Sequence, residues 1–399
     1  MKLRHAFVPY GHYWSTPFCR WQGSLADFHS MEMLAVSARQ ALGRTACAPD
    51  QIDSIHFGIT VPQHASFWGA PWVAAMIGLD RITGPTISQA CATSARLIAS
   101  AASEIEIRNE GVVLACACDR TSNGPHIYYP DSLGPGGRGR SEDWVWDNFG
   151  NDPHARVSMV ETAENVASSR SITRSQQDAL ALRRYEQYLD AIANDREFQR
   201  RYMLAPLEIP GNGKNRSPIT IDGDEGVRKT TKEGLANLKA VIPGGTVTFG
   251  TQTHPADGNA GVIVTSKARA RELAKSGPSI QFLGYGESRA ARAHMGQANV
   301  PAANNALNSA GLSISDIDVV KTHNPFVVND IFFSIETGFD ADKMNNYGSS
   351  LIFGHPQGPT GLRLVIEMIE ELTIQGGGYG LYSGCAAGDS AAALVLKVG

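Results

Sequence analysis

Two cysteines and two histidines lie among small residues in four short segments that are far apart in the chain. Cys91 follows Ser-Gln-Ala, His323 opens His-Asn-Pro-Phe, His355 lies in Gly-His-Pro, and Cys385 lies in Ser-Gly-Cys-Ala-Ala-Gly. A thiolate is a strong nucleophile, and an imidazole is a common base for generating one. Residues of these types in this order predict acyl transfer through a thioester on one cysteine.

The position of Cys91 favours reactivity. It directly precedes a stretch with helical spacing, from Ala92 to Ile107. The positive end of a helix makes a thiol easier to ionise. The alternative is that Cys91 is an inert buried residue, which is the usual fate of a free cysteine.

Glycine and proline surround His355. They fix a tight loop in which the imidazole can approach a partner closely enough to act as its base. The alternative is an imidazole that only satisfies backbone groups of the turn. His323 ends a strand-like run, where its N–H could donate to a thioester oxygen, and a polar strand terminus is the alternative. Asn324 fits ordinary Asn-Pro turn chemistry.

Cys385 lies in the predicted turn of a hairpin whose strands cover residues 379–383 and 391–398. Small residues there expose backbone N–H groups, which could bind a developing oxyanion, and Ala387 and Gly388 are the candidates. A second thiol could move a proton on or off a substrate carbon. Inert burial is again the alternative.

Strand-like and helical patterns alternate along the chain and predict an α/β fold. The layout of residues 48–58 recurs at 312–323, which indicates a weak internal duplication. Between the halves lies a polar, Arg-richer stretch in which Thr173-Arg-Ser-Gln176 fits a capping box that opens a helix. We interpret this stretch as an insertion that covers the site. The predicted domains are residues 1–120 with 245–268, a covering domain at 121–244, and a second half at 269–399.

The composition is that of a globular protein. The 399 residues are 42% hydrophobic, and 35 Lys and Arg against 39 Asp and Glu give a net charge of −4, which gives no reason to expect nucleic acid as a partner. The N-terminus lacks the apolar core of a signal peptide, and no apolar run is long enough to span a membrane. The six cysteines lack the spacing of a disulfide scaffold or a structural zinc site. We therefore expect free thiols, no bound metal and a cytoplasmic protein.

With these residues identified, the chain resembles the thiolase family over nearly its whole length. Matching motifs stand in the family's order: residues 16–26, Cys91, Gly354-His-Pro-Gln-Gly-Pro-Thr-Gly361 and the Cys385 segment. The resemblance implies a five-layered αβαβα architecture built from two similar halves, with an inserted loop domain. It also implies roles at the site: Cys91 takes the acyl group, His355 activates Cys91, and Cys385 acts as acid and base at the α-carbon of the substrate.

Four further positions match residues that the family places along coenzyme A. Arg228 matches a contact to the nucleotide end, and Thr253 and His254 match the stretch that lines the pantetheine tunnel. Met159 opens the segment that matches the start of the covering domain. The resemblance thus implies that coenzyme A and acyl-CoA are substrates and that no cofactor is tightly bound.

The chain departs from the common family pattern at two motifs. His323-Asn-Pro-Phe replaces Asn-Glu-Ala-Phe and is closer to the His-Asp-Cys-Phe form of sterol-carrier-protein-type thiolases, which gives His323 the oxyanion-donor position. The family's Cys-x-Gly reads Cys385-Ala-Ala387, so Ala387 must supply the backbone N–H. These departures point away from a straight-chain substrate and toward a branched or aromatic 3-oxoacyl-CoA.

Some divergent thiolases work with a small subunit that carries a zinc ribbon and an OB fold, and one such enzyme cleaves benzoylsuccinyl-CoA. The aromatic-rich N-terminal part and the His-Asn-Pro-Phe motif fit that type, and the family predicts a homodimer core. One alternative is a ketosynthase-like condensing enzyme, although such enzymes lack the second cysteine. The other is a non-catalytic subunit that binds acyl-CoA or scaffolds a partner.

Overall fold

The computed structural model describes residues 1–210, 217–274 and 276–399. Residues 211–216 of the predicted covering domain and Lys275 of the predicted second half lie outside these ranges. The helices of the described residues are α1 (Ser30–Leu42), α2 (Gly69–Ile77), α3 (Thr93–Arg108), α4 (Trp146–Gly150), α5 (Met159–Ser169), α6 (Arg174–Arg200, interrupted at 193–196), α7 (Lys232–Ala236), α8 (Lys267–Ala274), α9 (Asn299–Ala310), α10 (Val327–Thr337), α11 (Ser350–Phe353) and α12 (Gln357–Ile374). None of them is long and apolar enough to cross a membrane.

The strands are β1 (Phe7–Val8), β2 (Tyr13–Ser15), β3 (Cys19–Arg20), β4 (Ser54–Gly58), β5 (Thr86–Ile87), β6 (Val112–Arg120), β7 (His126–Tyr129), β8 (Arg140–Asp143), β9 (Leu207–Ile209), β10 (Ile219–Ile221), β11 (Ala256–Thr265), β12 (Ile280–Arg289), β13 (Val319–His323), β14 (Gly378–Ala386) and β15 (Ser390–Val398). Eleven of them join one sheet in the order β13-β14-β15-β12-β1-β11-β6-β4-β5, with β2 and β3 paired to β11. β1 pairs with both β11 and β12 and so connects the strands of the two halves.

The helices and the two halves of the sheet form five layers. α3 and α12 contact each other and lie in the centre, because α3 contacts β4, β6 and β15 while α12 contacts β6, β11, β13 and β14. α1 and α2 cover the outer face of the first half, and α9 covers that of the second half with α10 packed beside it. The parallel pairs β4-β6 and β13-β14 require crossovers, in which α3 and α12 are the equivalent helices. The predicted αβαβα fold from two similar halves is confirmed.

Several local predictions are also confirmed. The predicted helix from Ala92 to Ile107 is α3, and the capping box at Thr173 and Gln176 opens α6. The repeated layout is a 3-10 turn followed by a strand, at Pro49–Gln51 before β4 and at Ile314–Asp316 before β13. The duplication is therefore visible in local structure as well as in the layers.

The predicted turn position of Cys385 is wrong. Cys385 lies inside β14 and pairs with Ala391 of β15, so the turn comprises only residues 387–389. Gly384 and Ala386 on either side are small residues, which normally weaken a strand. Here two neighbouring strands compensate, because β14 pairs with β13 on one side and β15 on the other. The second cysteine is consequently held by a central strand rather than by a loop.

Central helix α12 carries buried charged side chains, several of whose partners come from residues 121–244, the stretch predicted to cover the site, which we call the covering segment. Arg363 forms two hydrogen bonds with Asp224, at 2.6 and 2.8 Å. Glu367 accepts from the Tyr202 hydroxyl at 2.6 Å. A buried charge is tolerated only when it is paired and hydrogen-bonded. Docking of the covering segment thus completes the core of the molecule.

Candidate active site

A sharp bend before α3 presents Cys91. β5 ends at Ile87, and Ala90 has a φ of 43°, a left-handed backbone that non-glycine residues rarely adopt. Thr93 closes the bend, because its hydroxyl accepts from the Gln89 N–H at 2.8 Å and donates to the Ala90 carbonyl at 2.7 Å. Cys91 is left partly exposed at the entrance to the helix.

Backbone pairing brings His355 to the same place. The His355 N–H donates to the His254 carbonyl at 2.9 Å, and Pro255 forms a parallel bridge with His355. Gly354 has a φ of 91°, and a Cβ on it would lie 2.7 Å from His254 Nε2. The Gly-His-Pro segment needs its glycine both for this dihedral angle and for this close approach.

Cys91 and His355 are in direct contact. Cys91 Sγ lies 3.1 Å from His355 Nε2. The Thr360 hydroxyl donates to the Pro356 carbonyl at 2.6 Å, so at its 2.7 Å contact with His355 Nδ1 it accepts the ring N–H. This tautomer leaves Nε2 with a lone pair directed at the thiol. The arrangement suits removal of the Cys91 proton.

Burial keeps this pair uncharged. It raises the pKa of Cys91 to about 12, although the backbone N–H groups of Ala387 and of Cys91 itself act in the opposite direction. Burial also lowers the pKa of His355 to about 3. The ionisation of Cys91 expected from the helix terminus is therefore outweighed by desolvation. The resting pair is a thiol and a neutral imidazole, and the proton must move as the new bond forms.

A flat pH profile is expected for acylation of Cys91. The thiol loses its proton only near pH 12 and the imidazole gains one only near pH 3, and a rate follows the ionisation of its essential groups. Rapid quenching and intact-protein mass with excess acyl-CoA should give an acylation rate that varies less than about threefold from pH 6 to 9. A tenfold rise per pH unit over this range would instead indicate that a minor thiolate is the reactive form.

Thr360 orients the base and was not recognised in the sequence, although its position on the first turn of α12 follows the Gly-His-Pro segment. Thr360→Val keeps the shape but removes the acceptor for His355 Nδ1–H. Loss of one partner of a buried hydrogen bond costs about 1–3 kcal/mol, so Cys91 acylation should slow about ten- to a hundredfold. Thr360→Ser restores the hydroxyl and should recover most of the rate in the same quench assay. Equal rates for the valine and serine variants would contradict this role.

His323 ends β13 and is fully buried against His355, with ring centroids 3.9 Å apart. Its Nδ1 lies 2.9 Å from Ser350 Oγ. Within the described residues its Nε2 has no hydrogen-bond partner. Burial, and then the neighbouring His355, hold the pKa of His323 well below its usual value. The ring is therefore neutral and presents one polar atom to the site.

Ser350 decides which tautomer His323 adopts. The Asn324 N–H donates to Ser350 Oγ at 3.3 Å, and Asn324 Oδ1 already accepts the Leu351 N–H at 3.2 Å. The Ser350 hydroxyl donates to Asn324 Oδ1 at 3.2 Å and also lies 2.9 Å from His323 Nδ1, so its one proton serves only one of these two acceptors at a time. While Ser350 donates to Asn324, its oxygen accepts from His323 Nδ1–H and Nε2 carries no proton; a Ser350 hydroxyl turned to Nδ1 instead leaves the proton on Nε2, and His323 then offers an N–H donor to an oxyanion.

The side chain of Asn324 does more than the Asn-Pro turn chemistry predicted. It is fully buried, and its Nδ2 donates to Asp330 Oδ2 at 2.7 Å. Arg184 of α6 pairs with the same carboxylate oxygen at 2.9 Å. The loop that carries His323 is therefore anchored from the covering segment, over separations in the chain that no local pattern reveals.

Cys91, His323 and His355 place their potential ligand atoms within 4.8 Å of one another, and the described residues contain no other such group. The two rings are stacked with an interplanar angle of 28°. Their in-plane lone pairs consequently run side by side, whereas zinc ligands surround the ion tetrahedrally. This geometry suits proton transfer and oxyanion binding better than metal binding.

Cys385 and the residues after it adjoin Cys91. Burial, followed by the charge of a Cys91 thiolate, would hold the pKa of Cys385 well above its usual value. The Ala387 N–H is directed at the Cys91 sulfur. Gly388 forms the turn with a φ of 81°, and its carbonyl accepts from Arg289 at 3.1 Å. The role of Gly388 as a backbone donor stays a prediction.

The segment that precedes β11 lies between the two histidine loops. The Thr253 N–H donates to the Pro325 carbonyl at 2.7 Å, and the Thr253 hydroxyl donates to the Ser350 carbonyl. The His254 ring is hydrogen-bonded to the Glu225 carbonyl, and its buried Nε2 has no partner within the described residues. Thr253 and His254 therefore adjoin both of the loops that carry the candidate histidines.

The other two candidate residues for coenzyme A lie farther out. Met159 opens α5 and packs against the apolar cluster that contains Phe326 and Cys385. Arg228 is exposed, and its charge helps burial to lower the pKa of His254. The four candidates thus extend from the surface to the thiol groups.

A cysteine paired with a neutral histidine in a duplicated five-layered fold defines a class of acyltransferases that work through thioesters. The chain belongs to the thiolase family. The family model described as "Thiolase, N-terminal domain" matches residues 13–268, and "Thiolase, C-terminal domain" matches residues 277–398. The protein is thus an acyltransferase of the thiolase type.

Relatives and solved structures agree with this assignment. The human protein "3-ketoacyl-CoA thiolase, mitochondrial" is 30% identical over 390 residues, which cover 96% of each chain. The acetyl-CoA acetyltransferase of Syntrophomonas wolfei is also 30% identical, over 393 residues and 96% of each chain. The crystal structure of human mitochondrial 3-ketoacyl-CoA thiolase in complex with CoA is similar with a TM-score of 0.89 at 28% identity, covering 100% of this chain and 99% of that one.

Proposed function

We propose that the protein cleaves a 3-oxoacyl-CoA with coenzyme A through an acyl-Cys91 intermediate, or runs the reverse Claisen condensation. The observation that carries this proposal is the 3.1 Å contact between Cys91 Sγ and His355 Nε2, with Cys385 beside it. A thioester enzyme needs a nucleophile and its base, and a carbon–carbon cleavage also needs a second acid.

Cleavage begins when Cys91 attacks the keto carbon of the substrate and gives its proton to His355. The carbon–carbon bond then breaks, its electron pair stays on the α-carbon of the leaving acyl-CoA, and Cys385 gives that carbon its proton. The Cys385 thiolate next takes the proton of an incoming coenzyme A thiol. The coenzyme A sulfur attacks the acyl group on Cys91, and the departing Cys91 sulfur recovers its proton from His355.

Two oxyanion sites serve these steps. The first is the neutral His323, in the tautomer with its proton on Nε2 that a Ser350 hydroxyl turned to Nδ1 would hold, acting together with protonated His355. The second consists of backbone N–H groups at Cys91 and Ala387, with Gly388 as a further candidate. Donors fixed in a buried site stabilise developing charge without reorganisation.

Coenzyme A binds along Arg228, His254, Thr253 and Met159 in this proposal. Arg228 is an exposed cation suited to the phosphates at the nucleotide end. The hydrogen bond to Glu225 places the proton of His254 on Nδ1 and leaves Nε2 as a buried acceptor. An amide N–H of pantetheine is a suitable donor for it. Coenzyme A is a substrate here and not a tightly bound cofactor.

The proposal also includes the kind of acyl group in the substrate, the partner subunits and the cellular location. His323 in place of the family's asparagine supports a branched or aromatic substrate such as benzoylsuccinyl-CoA. A homodimer core is supported by edge strand β5 and by the exposed Phe67 and Trp68 nearby, since an open edge favours pairing. A small zinc-ribbon/OB-fold subunit and a cytoplasmic location remain part of the proposal.

Intact-protein mass after brief exposure to acetyl-, succinyl- and benzoyl-CoA, with peptide mapping, tests the function and the substrate class together. We expect an acyl adduct on Cys91, and the group transferred fastest identifies the substrate class. Absence of any adduct on Cys91, with the protein folded, would favour a subunit that binds acyl-CoA without reacting. Where an adduct has formed on Cys91, adding acetyl-CoA distinguishes condensation, which transfers the acyl group to acetyl-CoA, from hydrolysis, which releases it to water.

Cys385→Ala separates a thiolase from a binding subunit. Removal of the acid for the α-carbon should lower thiolysis at least about a hundredfold, which is the usual contribution of acid–base catalysis. Coenzyme A affinity, measured by calorimetry, should change little, and the adduct on Cys91 should still form from simple thioesters. Unchanged thiolysis would exclude Cys385 as the acid. Cys118→Ala, at another fully buried strand cysteine, is the control and should keep its activity.

A further inference from the structure

A buried amide adjoins Cys385 and belongs to none of the sequence motifs. Asn329 lies in the first turn of α10, is 1% exposed, and directs Nδ2 at Cys385 Sγ over 3.3 Å. It is the one side chain of the described residues that donates a hydrogen bond to this sulfur. A donor at this position acts directly on the charge of a thiolate.

The other end of the amide is unengaged. Asn329 Oδ1 is buried and has no hydrogen-bond partner within the described residues. Gly296 packs against it, and a Cβ at Gly296 would lie 2.2 Å from Oδ1. The glycine therefore leaves room for the amide. Among the residues that the structure describes, the contact with Cys385 is the one hydrogen bond that orients this side chain.

A thiol and a thiolate make opposite demands on a neighbour. A thiolate needs a donor, because a buried charge without one is very unfavourable. A thiol donates its S–H and needs an acceptor. A side-chain amide offers both, an NH₂ group and a carbonyl oxygen, and a half-turn exchanges them. Asn329 therefore has both the donor and the acceptor that a cysteine requires when it alternates between thiolate and thiol.

We propose that Asn329 is a positioning residue for proton transfer, which stabilises the Cys385 thiolate through Nδ2–H and accepts the Cys385 S–H on Oδ1. The inference rests on the proposed role of Cys385 as acid and base. In that role a C–H bond of the substrate α-carbon breaks while S–H forms on Cys385, and the reverse step returns the proton. In this role Asn329 acts through the second thiol, with which its Nδ2 is in contact.

The test is exchange of the methyl protons of acetyl-CoA in D₂O, followed by mass spectrometry of the acetyl group. The variant is Asn329→Leu, because a leucine side chain has a similar volume and neither donates nor accepts a hydrogen bond. The exchange rate should fall at least about tenfold, because a hydrogen bond to a charged group is lost. The exchange that remains in the variant should increase with pH, and this increase should occur at a higher pH than in the wild type, because the Cys385 thiolate forms less readily. Acylation of Cys91 should stay within about twofold.

Asn299→Leu is the matched control. Asn299 is fully buried in the same half of the molecule, and neither polar atom of its side-chain amide has a hydrogen-bond partner in the part of the chain that the structure describes. Its replacement should leave exchange and its pH profile unchanged. If Asn329→Leu does not fold, Asn329→Ala replaces it in the test and should show the same loss of exchange. Wild-type exchange in a folded Asn329 variant, or an equal loss of exchange and of Cys91 acylation, would overturn the inference.

Failure of the proposed function gives a different result. If Cys385→Ala exchanges protons as fast as the wild type, Cys385 is not the base and the proposed mechanism fails. If Cys385→Ala abolishes exchange while Asn329→Leu and Asn329→Ala keep it, the mechanism stands and only the role of Asn329 is rejected.

Discussion

Replacing Cys91 by serine is expected to lower kcat for thiolysis at least about a thousandfold, as loss of a nucleophile does in enzymes of this kind. Serine keeps the size of the side chain, but its hydroxyl is a much weaker acid than a thiol. The base cannot compensate, because burial lowers the pKa of His355 to about 3. The measurement is the disappearance of a 3-oxoacyl-CoA under excess coenzyme A, followed together with the mass of the protein.

The same assay contains its own control. Cys47 is another buried thiol, in a turn after α1, and within the described residues the hydrogen bond of its Sγ goes to the Ala48 carbonyl at 3.8 Å. Cys47→Ser should keep activity within about twofold, because a hydroxyl can make this contact equally well. Retained thiolysis in Cys91→Ser, or an acyl adduct on a different cysteine, would refute the mechanism.

Replacing Arg363 by methionine is expected to destabilise the protein by about 3–5 kcal/mol, which is the usual effect of breaking a buried ion pair. Arg363 and Asp224 are fully buried and joined by two hydrogen bonds of 2.6 and 2.8 Å. Methionine leaves the Asp224 carboxylate without its cation in the core. Urea unfolding followed by circular dichroism measures the loss.

Two further variants test the cause of this loss. Arg183→Met removes an exposed arginine whose nearest carboxylate, on Glu186, is 3.9 Å away. Its effect should be below about 1 kcal/mol. Combining Arg363→Met with Asp224→Asn removes one of the two carboxylates that lose the guanidinium, the other being Glu367 at 3.0 Å, and should recover part of the stability. If the double variant is as unstable as the sum of its single variants, lost packing rather than an unpaired charge is the cause.

The second measurement on Arg363→Met concerns function. Arg363 lies on α12, one turn beyond Thr360, while Asp224 lies in the segment that carries Arg228. The ion pair therefore connects the helix of the base to the candidate coenzyme A segment. Both measurements are made well below the unfolding temperature of the variant. Its affinity for coenzyme A should fall by a larger factor, relative to the wild type, than its rate of Cys91 acylation by simple thioesters.

Local sequence patterns were sufficient for elements whose stability is local. The capping box at Thr173 opens α6, and the spacing after Ala92 gives α3, because helix starts and helical faces depend on neighbours three and four residues away. They were insufficient for Cys385, whose place in β14 depends on β13 and β15 on either side. Pairing between distant strands overrides what small residues indicate by themselves.

By itself, the sequence determined the family, the α/β class and the four candidate side chains of the site, because such residues among glycines and other small residues are a local and ordered signal. The tertiary structure alone decided which groups these side chains contact and how far they are buried. The tautomers of His355 and His323 depend on Thr360 and Ser350, and the neutral state of Cys91 depends on burial. Cys91 and His355 meet across 264 residues, and even the ring partners 5 and 27 residues away make contact only once the loops have folded, so spacing along the chain does not express hydrogen-bond partners or desolvation.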